Sequence, residues 1–112
     1  MPNQLLIFQK TYDFFLWFFP YINRIPKFHR LILGRRLEKV SLSLLVLVIR
    51  ANKTSGNERI ILQQKISDEL DILRILIRLT KDLKFISVKQ YALAAEKINE
   101  IGRMLTGWMK SV

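Results

Sequence analysis

Between Pro26 and Val40 the chain places Lys27, Arg30, Arg35, Arg36 and Lys39, and a second basic series, Arg74, Arg78 and Lys81, follows at helical spacing further on. Cations in that pattern have the chemistry of phosphate contact. A guanidinium presents paired donors that match two phosphate oxygens, and an ammonium adds a mobile point charge. These eight side chains are the candidate nucleic-acid contacts. With no aromatic side chain assigned to the cluster for base stacking, backbone or shape is the expected target rather than base sequence. The bland alternative is a solvated basic face.

Other chemistry has few footholds. The lone His29 stands beside Lys27 and Arg30 at a helix start, with no serine or carboxylate arranged around it, and reads as a solvated first-turn residue. Asp68, Glu69 and Asp71 pair more naturally with local bases, Lys65 with Glu69, Asp71 with Arg74 and Arg78 with Asp82, than with a metal. Glu96 and Glu100 share a helix face that is expected to be exposed. The chain holds no cysteine, no Glu-x-x-His pair and no glycine-rich phosphate loop. A protein that is not an enzyme and carries no cofactor or metal is the expectation.

The net charge of +10 and pI near 10.3 favour polyanionic partners. The excess is uneven: from residue 26 to 56 seven basic residues face only Glu38. The two longest uncharged apolar runs, FFLWFFPYI (14–22) and SLSLLVLVI (41–49), fall far short of the roughly 20 residues that span a bilayer. The N-terminal MPNQLLIFQKTYD lacks a basic segment before its apolar stretch, unlike a signal peptide. Both features, with the absence of cysteine, suit a cytoplasmic protein with no membrane partner.

The elements that must carry these residues are helices, since 4 Gly and 3 Pro in 112 residues leave few turns. Pro26 ends a first helix shortly before it. NKTSGN (52–57) is the one cluster of small polar turn residues, and Ser87-Val-Lys-Gln90 reads as a capping box. Four helices result, each with an apolar stripe in steps of three and four. The stripes are Leu5, Phe8, Tyr12, Phe15, Phe19 and Ile22; Leu33, Leu37, Val40, Leu44, Leu47 and Ala51; Leu62, Ile66, Leu70, Leu73 and Ile77; and Ala94, Ile98, Ile101, Leu105 and Trp108. The expected fold is all-α, a single domain over residues 1–112 built as an up-and-down antiparallel four-helix bundle. Pro20 predicts a kink or an early end to the first helix.

The second and third helices carry more apolar surface than one bundle uses, notably Leu42, Leu45, Val46, Val48, Ile49 and the run LDILRILIRL (70–79). That excess predicts a homo-oligomer. Arg35, Arg36 and Lys39 lie off the core stripe. Gly102 belongs to a strip of small residues, Ala95, Asn99, Gly102 and Thr106, expected to let a neighbouring helix approach closely.

PKFHRLILGRRLE (26–38), LDILRILIRLTKDL (70–83) and SVKQYALAAEKINEIGRMLTGWMKS (87–111) together resemble the accessory variability determinant (Avd) proteins of diversity-generating retroelements. The wider likeness is to bacterial four-helix-bundle proteins encoded in ribosomal RNA intervening sequences. The matching positions are Pro26, Lys27, Arg30, Leu33, Gly34 and Arg36; Arg78; Lys89, Gln90 and Tyr91; and Ile101 to Leu105 with Gly107 and Trp108. Where many relatives have two glycines before the tryptophan, Thr106 precedes Gly107 here. The resemblance implies a homopentameric barrel of bundles that binds a reverse transcriptase and engages RNA or an RNA–DNA hybrid during mutagenic, template-primed complementary-DNA synthesis. The intervening-sequence group implies instead a stand-alone bundle with general RNA association and no polymerase partner.

Overall fold

A computed structural model describes residues 3–111, with side chains from residue 6 onward. Four helices form an elongated body of 44 × 24 × 19 Å. Helix α1 spans Asn3–Asn23. Helix α2 is composite: an α-helical turn Lys27–His29, a π-helical segment Arg30–Gly34, and a long α-helical stretch Arg35–Asn52. Helix α3 spans Gly56–Asp82 and α4 spans Val88–Lys110. Each helix packs on the two beside it, with α1 also against α4, so the chain runs up and down around one core. Among the described residues no helix is long and apolar enough to cross a membrane.

The breaks fall where the turn chemistry puts them. Pro26 has φ −52 and ψ 139, extended backbone that cannot continue α1. Between α2 and α3, Gly56 takes a φ of 62, which a residue with a Cβ rarely adopts. Ser87 caps α4: its hydroxyl accepts from the Gln90 amide at 3.0 Å, and its own amide donates to the Gln90 side chain at 2.8 Å. Pro20 does not end α1, which continues to Asn23. Its missing N–H would have met the carbonyl of Leu16, a residue 61% exposed, so the interruption falls on the solvent-facing side of α1.

The α4 stripe is buried as expected, Ala94, Ile98, Ile101, Leu105 and Trp108 all facing the core. In α1 the expected stripe is rotated. Ile7, Thr11, Phe14, Phe15, Phe18 and Ile22 are buried, while Tyr12 is exposed and Phe8 and Phe19 are half-buried; the Leu5 side chain lies outside the described residues. Thr11 tolerates its core position because its hydroxyl donates to the Ile7 carbonyl at 2.8 Å. In α2, Val48 replaces Leu47 in the core, and in α3 Gln63 and Thr80 extend the buried face beyond Ile66, Leu70, Leu73 and Ile77, with Leu62 only half-buried.

Candidate nucleic-acid interface

The antiparallel arrangement brings the start of α2 and the end of α3 to one end of the bundle. The His29 ring lies 4.9 Å from Phe85, just beyond α3, and the two helices meet in a groove of about 290 Å³ whose walls include Phe28, Ile32, Arg36, Leu79 and Leu83. Of the eight candidate contacts, four form no side-chain hydrogen bond or ion pair among the described residues, and two of those, Lys27 and Arg36, stand at this end of the bundle. Lys27, Arg35, Arg36 and Lys39 are all exposed and all free of carboxylate partners.

The other basic candidates are already engaged. Arg30 donates from Nη1 to the Asn23 carbonyl at 2.8 Å, closing the α1–α2 turn. Arg78 Nε lies 3.8 Å from Asp82, and Lys81 Nζ lies 3.2 Å from the same carboxylate and 4.6 Å above the Tyr91 ring. Arg74 sits midway along α3, half-buried, donating to Asp71 at 2.8 Å. Exposed pairs of this kind are worth about 0–1 kcal/mol, so a phosphate can displace them at little cost. Asp71 with Arg74 and Arg78 with Asp82 pair as the sequence predicts, whereas Lys65 and Glu69 do not reach ion-pair distance. Glu100 pairs with Lys10 of α1 at 3.1 Å. Among the described residues no group of three or more His, Asp or Glu is placed to hold a metal ion.

Two features escape the sequence reading. Phe28, between Lys27 and Arg30, is 79% exposed and meets His29 edge-on at 5.4 Å, so the cluster does hold an aromatic face. Its position beside Pro26, ahead of the regular stripe, is the signal that it points away from the core. The second is Lys84. It has a φ of 67 and completes the turn after α3: its amide donates to the Lys81 carbonyl at 2.8 Å, and the Phe85 amide donates to Thr80 at 3.0 Å. That hydrogen-bond pair is a Schellman motif, whose left-handed position usually belongs to glycine. A lysine there keeps a cation at the basic end despite the backbone strain.

Arg35 and Lys39 belong to a different surface. At steps of three and four they run into Leu42, Val46 and Ile49, which are 52%, 46% and 37% exposed. Basic and apolar residues thus share one outer stripe of α2, and Arg36 lies off it, facing α3 through the groove with Leu79 and Leu83.

The described chain is therefore a basic, up-and-down four-helix bundle with Lys27 and Arg36 beside an exposed aromatic ring at one end. The chain matches the model of the bAvd-like family over residues 5–112 and belongs to that family. No curated protein matches it.

Proposed function

We propose that this protein is the accessory variability determinant of a diversity-generating retroelement, binding the reverse transcriptase and holding template RNA or the RNA–DNA hybrid while complementary DNA is made. The family supports the retroelement assignment. The observation that carries nucleic-acid binding is the basic end, where an exposed Phe28 stands between unpaired Lys27 and Arg36 with Lys84 nearby in the chain's α3–α4 turn. A cationic surface with an exposed aromatic suits single strands, because phosphates meet the cations while a base stacks on the ring. On this reading the protein catalyses nothing itself and needs no metal or cofactor; it concentrates and orients nucleic acid for its polymerase partner in the cytoplasm. The exposed Leu42, Val46 and Ile49 stripe supports assembly into a homo-oligomer, and five copies is the number the family resemblance suggests.

The test is a salt titration of RNA binding by the parent and by a Lys27→Gln, Phe28→Ala, Arg36→Gln variant. Each lost phosphate contact on a single strand should flatten the slope of log affinity against log salt by about 0.7. The variant should also lower complementary-DNA synthesis by the partner polymerase. Unchanged binding and unchanged synthesis would leave the basic end a solvated face.

A further inference from the structure

A groove of about 490 Å³ separates α3 from α4, and its walls include Arg74, Asn99, Gly102, Arg103 and Thr106 but no carboxylate. A second cavity of about 160 Å³ continues it on the other side of Arg74, against Tyr91, Ala95 and Asn99. Beyond Tyr91 stands Lys81, its ammonium 4.6 Å above the ring, so the path opens towards the basic end. From Tyr91 to Thr106 the rise of α4 makes it about 22 Å long.

Gly102 seats Arg74 in this path. A Cβ at residue 102 would stand 2.8 Å from Arg74 Nη2, so the guanidinium occupies the space that a side chain would take. The small strip on α4 therefore admits an arginine side chain rather than a neighbouring helix. Asp71 accepts from Arg74 Nη1 at 2.8 Å and steadies one edge of the guanidinium, leaving other donors for an anion. Arg103, one residue on from Gly102, is exposed and has no carboxylate partner among the described residues. The Thr106 hydroxyl donates to the Gly102 carbonyl at 3.0 Å, so what it offers the groove is acceptor lone pairs. Lone pairs repel a phosphate oxygen and accept from a ribose 2′-hydroxyl.

We propose that the α3–α4 groove is a track for single-stranded RNA. Arg74 and Arg103 meet phosphates, Asn99 bonds the sugar–phosphate backbone, and Thr106 accepts from a 2′-hydroxyl. Leu70, Leu105 and Met109 also line the walls, and the acceptor at Thr106 favours a polynucleotide, whose 2′-hydroxyls donate, over acidic side chains, which only accept. This site rests on the nucleic-acid reading above and extends it away from the basic end.

The experiment measures binding of a fluorescent oligouridine, its DNA counterpart and an oligoglutamate peptide to the parent and to Arg103→Gln, Gly102→Ala and Thr106→Val. Gly102→Ala pushes aside only the tip of a flexible side chain, so it and the exposed Arg103→Gln should keep the parent's circular dichroism and melting curve. Each should weaken oligouridine binding about tenfold, the worth of one charged hydrogen bond, and Arg103→Gln should flatten the salt slope by about 0.7. Thr106→Val should shrink the preference for RNA over DNA. Parental RNA binding by Arg103→Gln and Gly102→Ala, with binding lost in the Lys27, Phe28 and Arg36 variant, would overturn the groove and leave the function standing. Oligoglutamate competing for the groove better than RNA would overturn it in favour of an acidic protein segment. A parent that binds no nucleic acid would bring down both readings together.

Discussion

The guanidinium of Arg59 lies over the indole of Trp108, 5.6 Å from the ring centroid, while its Nε donates to the Ala51 carbonyl at 3.1 Å. One side chain at the start of α3 thus ties the end of α2 to the end of α4. Trp108 is 3% exposed, and its Nε1 is buried without a hydrogen-bond partner. Trp108→Ala should cost about 3–5 kcal/mol in urea unfolding, because it empties a packed site. Trp108→Phe should cost clearly less, since it keeps an aromatic ring and removes the unpaired N–H. Equal losses for the two would show that the indole nitrogen has a partner in solution. Ending the chain before Ile101 should abolish cooperative unfolding, as it removes Ile101, Leu105 and Trp108 at once.

Ser87→Ala should destabilise the bundle by about 1 kcal/mol, the usual worth of a helix N-cap. Ser87→Asp should recover most of it, because a carboxylate accepts the same Gln90 amide. The midpoint of a chemical denaturation curve reads both.

Lys84→Gly should raise stability by about 1 kcal/mol, since glycine takes the left-handed conformation without the Cβ penalty. The same change should lower RNA affinity at low salt and leave the difference small at high salt. A stability gain with full retention of RNA binding would make Lys84 a tolerated strain with no electrostatic role.

Helix number, breaks and the N-cap of α4 were legible because their signals are single residues with specific backbone chemistry, such as Pro26 and the Ser87–Gln90 pair. The α4 stripe was legible because polar residues separate its apolar ones. Rotation failed in α1, where Phe14, Phe15, Trp17, Phe18 and Phe19 crowd one stretch and several faces are equally apolar. The same ambiguity exchanged Leu47 for Val48. Buried Thr11, Gln63 and Thr80 were invisible to an apolar count, two of them because a bond to the preceding turn satisfies the hydroxyl: Thr11 to Ile7 at 2.8 Å and Thr80 to Leu76 at 2.7 Å. At the site, charge located the cluster, but which cations are free depends on partners such as the Asn23 carbonyl and Asp82, which only the fold brings near.

Assembly offers a further test. The parent should sediment at several times 13.3 kDa, and Val46→Glu should lower that mass while preserving helicity, because it places a charge within the exposed Leu42, Val46 and Ile49 stripe. Arg35 and Lys39 continue that stripe, so their replacement can disturb assembly as well as binding. Arg36 is the cleaner electrostatic probe on this helix. A parent that sediments as a monomer would remove the case for a barrel.

The π-helical segment has a geometric effect of its own. The Arg35 amide reaches back five residues to the Arg30 carbonyl, one more than in an α-helix, which amounts to a single extra residue threaded into α2. That residue acts as a phase shifter. It turns Lys27 and Phe28 by about 100° relative to the azimuth an unbroken α-helix would give them. Deleting Leu31 would restore a regular helix and swing Phe28 to another side of the bundle while leaving Arg36 where it is, so the aromatic face and the arginine share a groove only because the helix miscounts once.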